Sequence, residues 1–222
     1  MKPKSLLFAG TLASFAAAWF GLIVVANSQI GRLEPQVDEE NAEIYPINIA
    51  GVAAQGRRVY IGNGCNYCHT QFVRGADEGP DILRGWGPRR TVALDYIYSS
   101  GAEIGVFRNG PDLSNAGVAQ EEGSPRSHLK NVQWHYNHLY RPQSVVPGST
   151  MPSYAFLFEK RKISGERSHD ALTLSGADEV PAGYEVVPTH EAKALVAYLM
   201  SLDRSHPLTD TKGTPAAAPE AK

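Results

Sequence analysis

Cys65, Asn66, Tyr67, Cys68 and His69 are consecutive, and the two cysteines are the only ones among 222 residues. Two thiols three positions apart can add across the two vinyl groups of a porphyrin, and the imidazole that follows can bind the iron at its centre. That chemistry is the covalent attachment of one c-type haem. Scattering two cysteines and seven histidines at random over this length would produce the pentapeptide about 3 times in 10,000. Other uses of the pair fit less well. A redox Cys-x-x-Cys belongs at a helix start after a strand, inside a βαβ pattern that this sequence does not show. A structural zinc site needs four ligands, and no second Cys or His cluster of usual spacing completes the set. A disulfide closing so small a loop would stabilise little.

The iron of an electron carrier takes a second axial ligand, and a methionine there raises the reduction potential. Met1 lies ahead of an apolar segment, and Met200 falls in an amphipathic stretch where filling the core suits it. Met151 lies in Pro-Gly-Ser-Thr-Met-Pro-Ser-Tyr, a proline-bracketed segment that does not read as helix. It is the favoured second ligand, with His135 and His138 of WHYNHLYRP as the alternatives. A ligating imidazole also needs its other nitrogen engaged. The loop Asn109-Gly110-Pro111-Asp112-Leu113 offers the Pro111 carbonyl for this, although Gly-Pro pairs also make ordinary turns. Arg57, Arg58, Arg74, Arg89 and Arg90 are candidate partners for haem propionates, with solvated charge as the default for each.

The elements that must position these groups can be read in outline. Leu6 to Ala26 is an uncharged run of 21 residues, enough for a helix to span a hydrocarbon core of about 30 Å. Lys2 and Lys4 precede it, whereas Arg32 and the acidic Glu34, Asp38, Glu39 and Glu40 follow. By the positive-inside rule the amino terminus stays in the cytoplasm. The rest then lies on the periplasmic side of a bacterial inner membrane. A signal peptide cut after Ala26 is the rival reading, but the run exceeds the roughly 7 to 15 residues of a signal core, so a retained single-pass anchor is expected.

The expected division is an anchor over residues 1–27, a polar tether over 28–46, a haem domain over 47–207 and a disordered tail over 208–222. Ile49 to Asn63 has helical spacing and runs into the cysteine motif. His190 to Leu202 carries the apolar stripe Ala192, Leu195, Val196, Leu199 and Leu202, with Thr189 as a plausible N-cap. Val92 to Ser100 and Ser127 to Tyr140 read as shorter helices, and regular β alternation is scarce. The 21 Gly and 15 Pro predict long loops. With 21 Lys+Arg against 23 Asp+Glu, there is no basic field to draw the chain to nucleic acid.

Four segments, GRRVYIGNGCNYCHTQFVR, GPDLSNAG, WHYNHLYRPQSVVPGSTMPSYAFL and EAKALVAYLMSLD, occur in that order behind one anchor. The series resembles the mono-haem cytochrome c subunit, subunit II or O, of cbb3-type cytochrome c oxidase over most of residues 1–203. The resemblance implies a mainly α protein: a single N-terminal transmembrane helix plus a class I cytochrome c-like haem domain with long loops. It implies that Cys65 and Cys68 bind one haem c covalently, that His69 and Met151 are the axial iron ligands, and that Pro111 supports His69. It also implies partners: a catalytic subunit holding haem b and the haem b3/copper oxygen site, and a di-haem cytochrome c subunit or a soluble cytochrome donor. The chain would relay single electrons from donor cytochrome c to haem b, with no catalytic centre of its own. An anchored subunit of a nitric oxide reductase-like complex and a stand-alone anchored carrier are the alternatives. Gly85 to Tyr98 and Lys160 to Tyr184 depart from the family's usual pattern, and the second, read as a long loop, is expected to pack on a partner subunit.

Overall fold

The uncharged run forms one helix, α1 (Pro3–Ile30), of 28 residues, about 42 Å long at 1.5 Å per residue. Leu7, Phe8, Leu22 and Ile23 all point outward on it. A helix apolar on every side has no stable place in water, and this one is long enough to cross a membrane. These observations come from a computed structural model that describes residues 3–38, 43–99, 101–118, 131–174 and 176–208. Residues 209–222 of the tail expected to be disordered, Glu39 and Glu40, and the start of the helix expected from Ser127 lie outside the described residues.

Two compact units divide the chain. The first holds α1 and two short antiparallel strands, β1 (Gln36–Asp38) and β2 (Glu43–Tyr45), paired Gln36 with Tyr45 and Asp38 with Glu43. These strands lie in the stretch expected to be an unpacked tether. Three-residue strands are too short to show alternation in sequence, so the pairing was invisible there. The unit also takes in residues 92–97, where the buried Tyr45 hydroxyl donates to Asp95 at 2.5 Å. The helix expected from Val92 to Ser100 is only a 3₁₀ turn, Ala93–Tyr96. The Asp95 carboxylate accepts from Val92 N at 2.7 Å and Ile97 N bonds back to Leu94 O, so the turn closes with three-residue spacing before an α-helix can propagate.

The second unit is built on the crossing of α2 (Gly51–Gly62) and the C-terminal helix, where the expected stripe Ala192, Leu195, Val196 and Leu199 is buried. The Thr189 side chain caps that helix, accepting from Ala192 N at 3.3 Å. A Cβ at Gly56 would lie 1.8 Å from the Ala194 carbonyl oxygen, so only glycine lets α2 approach so closely. Tyr60 and Tyr198 pack in the crossing with ring centroids 5.4 Å apart.

From α2 the chain turns directly into α3 (Cys65–Cys68). Further on, α4 (Val132–Tyr140) is capped by the Asn131 side chain, which accepts from Gln133 N and Trp134 N, and α5 (Pro142–Val145) follows with proline at its start. Two strands absent from the sequence reading pair antiparallel, β3 (Phe158–Lys162) with β4 (Tyr184–Pro188), in the register Phe158 to Pro188 and Lys162 to Tyr184. They close the stretch read as a long loop. Leu172 N bonds to Val186 O at 2.9 Å, and its side chain is buried in this chain's own core. The last helix, α6 (His190–Met200), completes a mainly helical protein.

Candidate haem site

The motif occupies a single helical turn. His69 N bonds back to Cys65 O at 3.0 Å, and the backbone is extended at His69, at φ −119° and ψ 130°. Three positions apart on one turn, Cys65 and Cys68 carry their side chains on the same side. Both are free thiols. Burial, the largest influence, pushes the Cys65 thiol up to about 11, and the Tyr154 side chain is within hydrogen-bond reach of it.

His69 Nδ1 lies 2.8 Å from the Pro111 carbonyl oxygen. With the Nδ1–H donating to that carbonyl, Nε2 is the nitrogen that would bind iron. Gly110 lies flat against the ring: a Cβ there would come within 2.2 Å of His69 Cε1. The loop is stapled to the motif and the residues after it by Gly110 N to Cys68 O at 2.9 Å and Leu113 N to Thr70 O at 2.8 Å. Arg108, at the loop's start, bonds the buried Asp81 carboxylate and Phe72 O. Burial alone would raise Asp81, but hydrogen bonds from the Arg74 side chain and backbone and from Arg108 outweigh it and hold the group at about 2. The Arg108 guanidinium also lies 5.5 Å from the Trp86 ring centre.

Met151 is half-buried and packs against the same core as Cys65 and Tyr154. Its segment is held by Gln143, whose Nε2 donates to Ser149 O at 2.9 Å and Met151 O at 3.2 Å. Tyr154 N bonds to Leu139 O at 2.8 Å, which fastens the segment to α4. The alternative ligands are both engaged with Trp134: His138 stacks on it at 4.6 Å, and His135, itself buried, meets it edge-on at 5.3 Å. Met200 packs against the core from α6. Of the arginines considered for propionates, Arg57 pairs with Glu103, Arg74 with Asp81, Arg89 with the His206 carbonyl at 2.8 Å and Arg90 with Glu78 at 3.9 Å. Arg58 is exposed.

These residues fit a haem. The imidazole is oriented through one nitrogen, a glycine leaves room beside it, and the half-buried Cys65 and exposed Cys68 lie on one side of a single turn next to it. Val106 N and Phe107 N bond to Asn66 O and Tyr67 O, so the exposed apolar Val106, Phe107 and Tyr67 flank the motif. A flat apolar group would cover such a surface. Among the described residues no group of three or more His, Cys, Asp or Glu could hold a bare metal ion. Sequence reasoning missed Gly110, Gln143 and Tyr154. Only their nearness to the motifs could have signalled them.

A family model described as cytochrome c oxidase, mono-heme subunit/FixO matches residues 14–181. No curated protein matches the chain. The matched region begins inside α1 and carries Cys65, Cys68, His69, the Pro111 loop and Met151 in their expected order. Spanning well over half of the sequence, it shows that this chain belongs to the mono-haem, FixO, subunit family of cytochrome c oxidase, a haem-binding family of electron transport.

Proposed function

We propose that this chain binds one haem c through thioethers at Cys65 and Cys68, with His69 and Met151 as axial ligands. It relays single electrons from a donor cytochrome c to haem b of the oxidase's catalytic subunit. The observation that carries this reading is His69 Nδ1 at 2.8 Å from the Pro111 carbonyl, beside two thiols on one helical turn. Bound haem supplies a one-electron couple at its iron. The Cys65 and Cys68 thiols each add S–H across a vinyl group and so hold the ring by covalent bonds. The Pro111 carbonyl draws on the Nδ1 proton, which makes His69 a stronger donor and favours the ferric state. Met151 acts in the opposite direction and raises the potential. With both axial positions taken by side chains, oxygen reduction is left to the partner subunit. Lys2 and Lys4 ahead of the apolar run that starts at Leu6, with Glu34 and Asp38 after it, favour a haem domain on the periplasmic side of a bacterial inner membrane.

The test is to purify the full chain from membranes with whatever accompanies it, then type haems and metals. Haem staining on this chain's band of a denaturing gel, with haem b and copper in the same preparation, is the expected result. Haem b without copper would transfer the chain to a nitric oxide reductase-like complex. Haem c with no large subunit would overturn the oxidase relay.

A further inference from the structure

The Pro111 carbonyl belongs to the rigid peptide plane between residues 111 and 112. The proline ring fixes φ on one side of that plane, so its orientation depends on what holds residue 112 on the other. Asp112 is fully buried, at 0% exposure. One oxygen of its carboxylate accepts from Thr70 Oγ1 at 2.6 Å and from Phe72 N at 2.7 Å, while the other accepts from Ser114 N at 2.8 Å. The first two donors come from the segment that carries His69, immediately beyond it in sequence. A single carboxylate therefore ties the segment presenting the imidazole to the segment presenting the carbonyl. An amide could not reproduce this. Its one oxygen would satisfy one side, and its NH₂ would oppose N–H or O–H donors on the other.

We infer that Asp112 is a positioning residue for the axial histidine: it holds the Pro111 carbonyl against His69 Nδ1 and thereby sets how strongly His69 donates to iron. The inference rests on the haem-site reading above and extends it to a residue that touches neither ring nor iron. Loosening Asp112 lengthens the Nδ1–H···O bond, weakens His69 as a donor and destabilises the ferric form, so the reduction potential rises.

The experiment uses the full-length haem-loaded chain in Asp112→Asn, Thr70→Val and Glu185→Gln forms. Glu185 is the matched control, a buried carboxylate that accepts from Ser168 N and Oγ at 2.7 Å in the β3–β4 hairpin. Three readouts are taken: thermal stability, midpoint potential, and exchange of the His69 Nδ1 proton by NMR in the reduced state. Asp112→Asn and Thr70→Val should raise the potential and speed Nδ1 proton exchange about tenfold, the factor equivalent to one net hydrogen bond. Glu185→Gln should lower stability and move neither of the other two. If Asp112→Asn does not fold, Thr70→Val decides, because it removes one donor and keeps the shape. Haem-loaded variants with unchanged potential and exchange overturn the inference, as does an equal shift in Glu185→Gln. A wild-type chain carrying no covalent haem is a different failure, since it removes the underlying site and the inference together.

Discussion

Replacing Met151 by alanine removes a sulfur and leaves Cys65, Cys68 and His69 in place. Haem should remain covalently attached while the sulfur-to-iron absorption band in the red disappears. The potential should fall by on the order of 0.1 V, a fraction of the roughly 0.8 V that axial ligation commands. An unchanged spectrum would reassign the ligand to His135 or His138, whose packing against Trp134 argues the other way. At this scale the motif was legible because porphyrin geometry acts locally: the spacing of two thiols and an imidazole is written within five residues. Asp112 was legible only as a member of a loop. Its carboxylate meets Thr70 across 42 positions, and no local pattern encodes such a contact.

Among the elements, α2 and α6 announce themselves by helical periodicity, and their meeting depends on one missing methyl. Gly56→Ala would force a Cβ to within 1.8 Å of the Ala194 carbonyl oxygen, and backbone cannot rotate away as a side chain can. The expected cost is roughly 2 to 3 kcal/mol in urea unfolding of the haem-loaded protein, in the range of over-packed cores. An unchanged unfolding midpoint would show that the crossing is looser than described. The β3–β4 hairpin escaped the sequence reading for a physical reason. On β3 only Phe158 is buried and Glu159-Lys160-Arg161-Lys162 faces solvent, whereas β4 buries four consecutive residues, Glu185 to Pro188. Neither strand alternates. Glu185 adds a charge where an apolar residue would have marked the core, and its hydrogen bonds from Ser168 and Arg161 appear only once the chain is folded.

For the molecule as a whole, the exposed apolar face all round α1 predicts membrane retention. The full chain should stay in the membrane pellet through an alkaline carbonate wash. Deleting residues 1–30 should release a haem protein with the same visible spectrum. Release of the intact chain by carbonate would overturn the anchor. The contact between α2 and α6 also has a meaning in time. His190 meets Gln55 across 135 positions, at 2.7 Å, and closing so long a loop costs about 4 kcal/mol by the (3/2)RT ln n relation. Such distant pairings slow folding, because the closure entropy is spent before the contacts repay it. The Cys65–His69 segment leaves the end of α2, so until α6 has packed against α2 it hangs from an unclosed chain. Under the proposed attachment, the two thiols would stay reachable by whatever delivers the haem until α6 packs on α2.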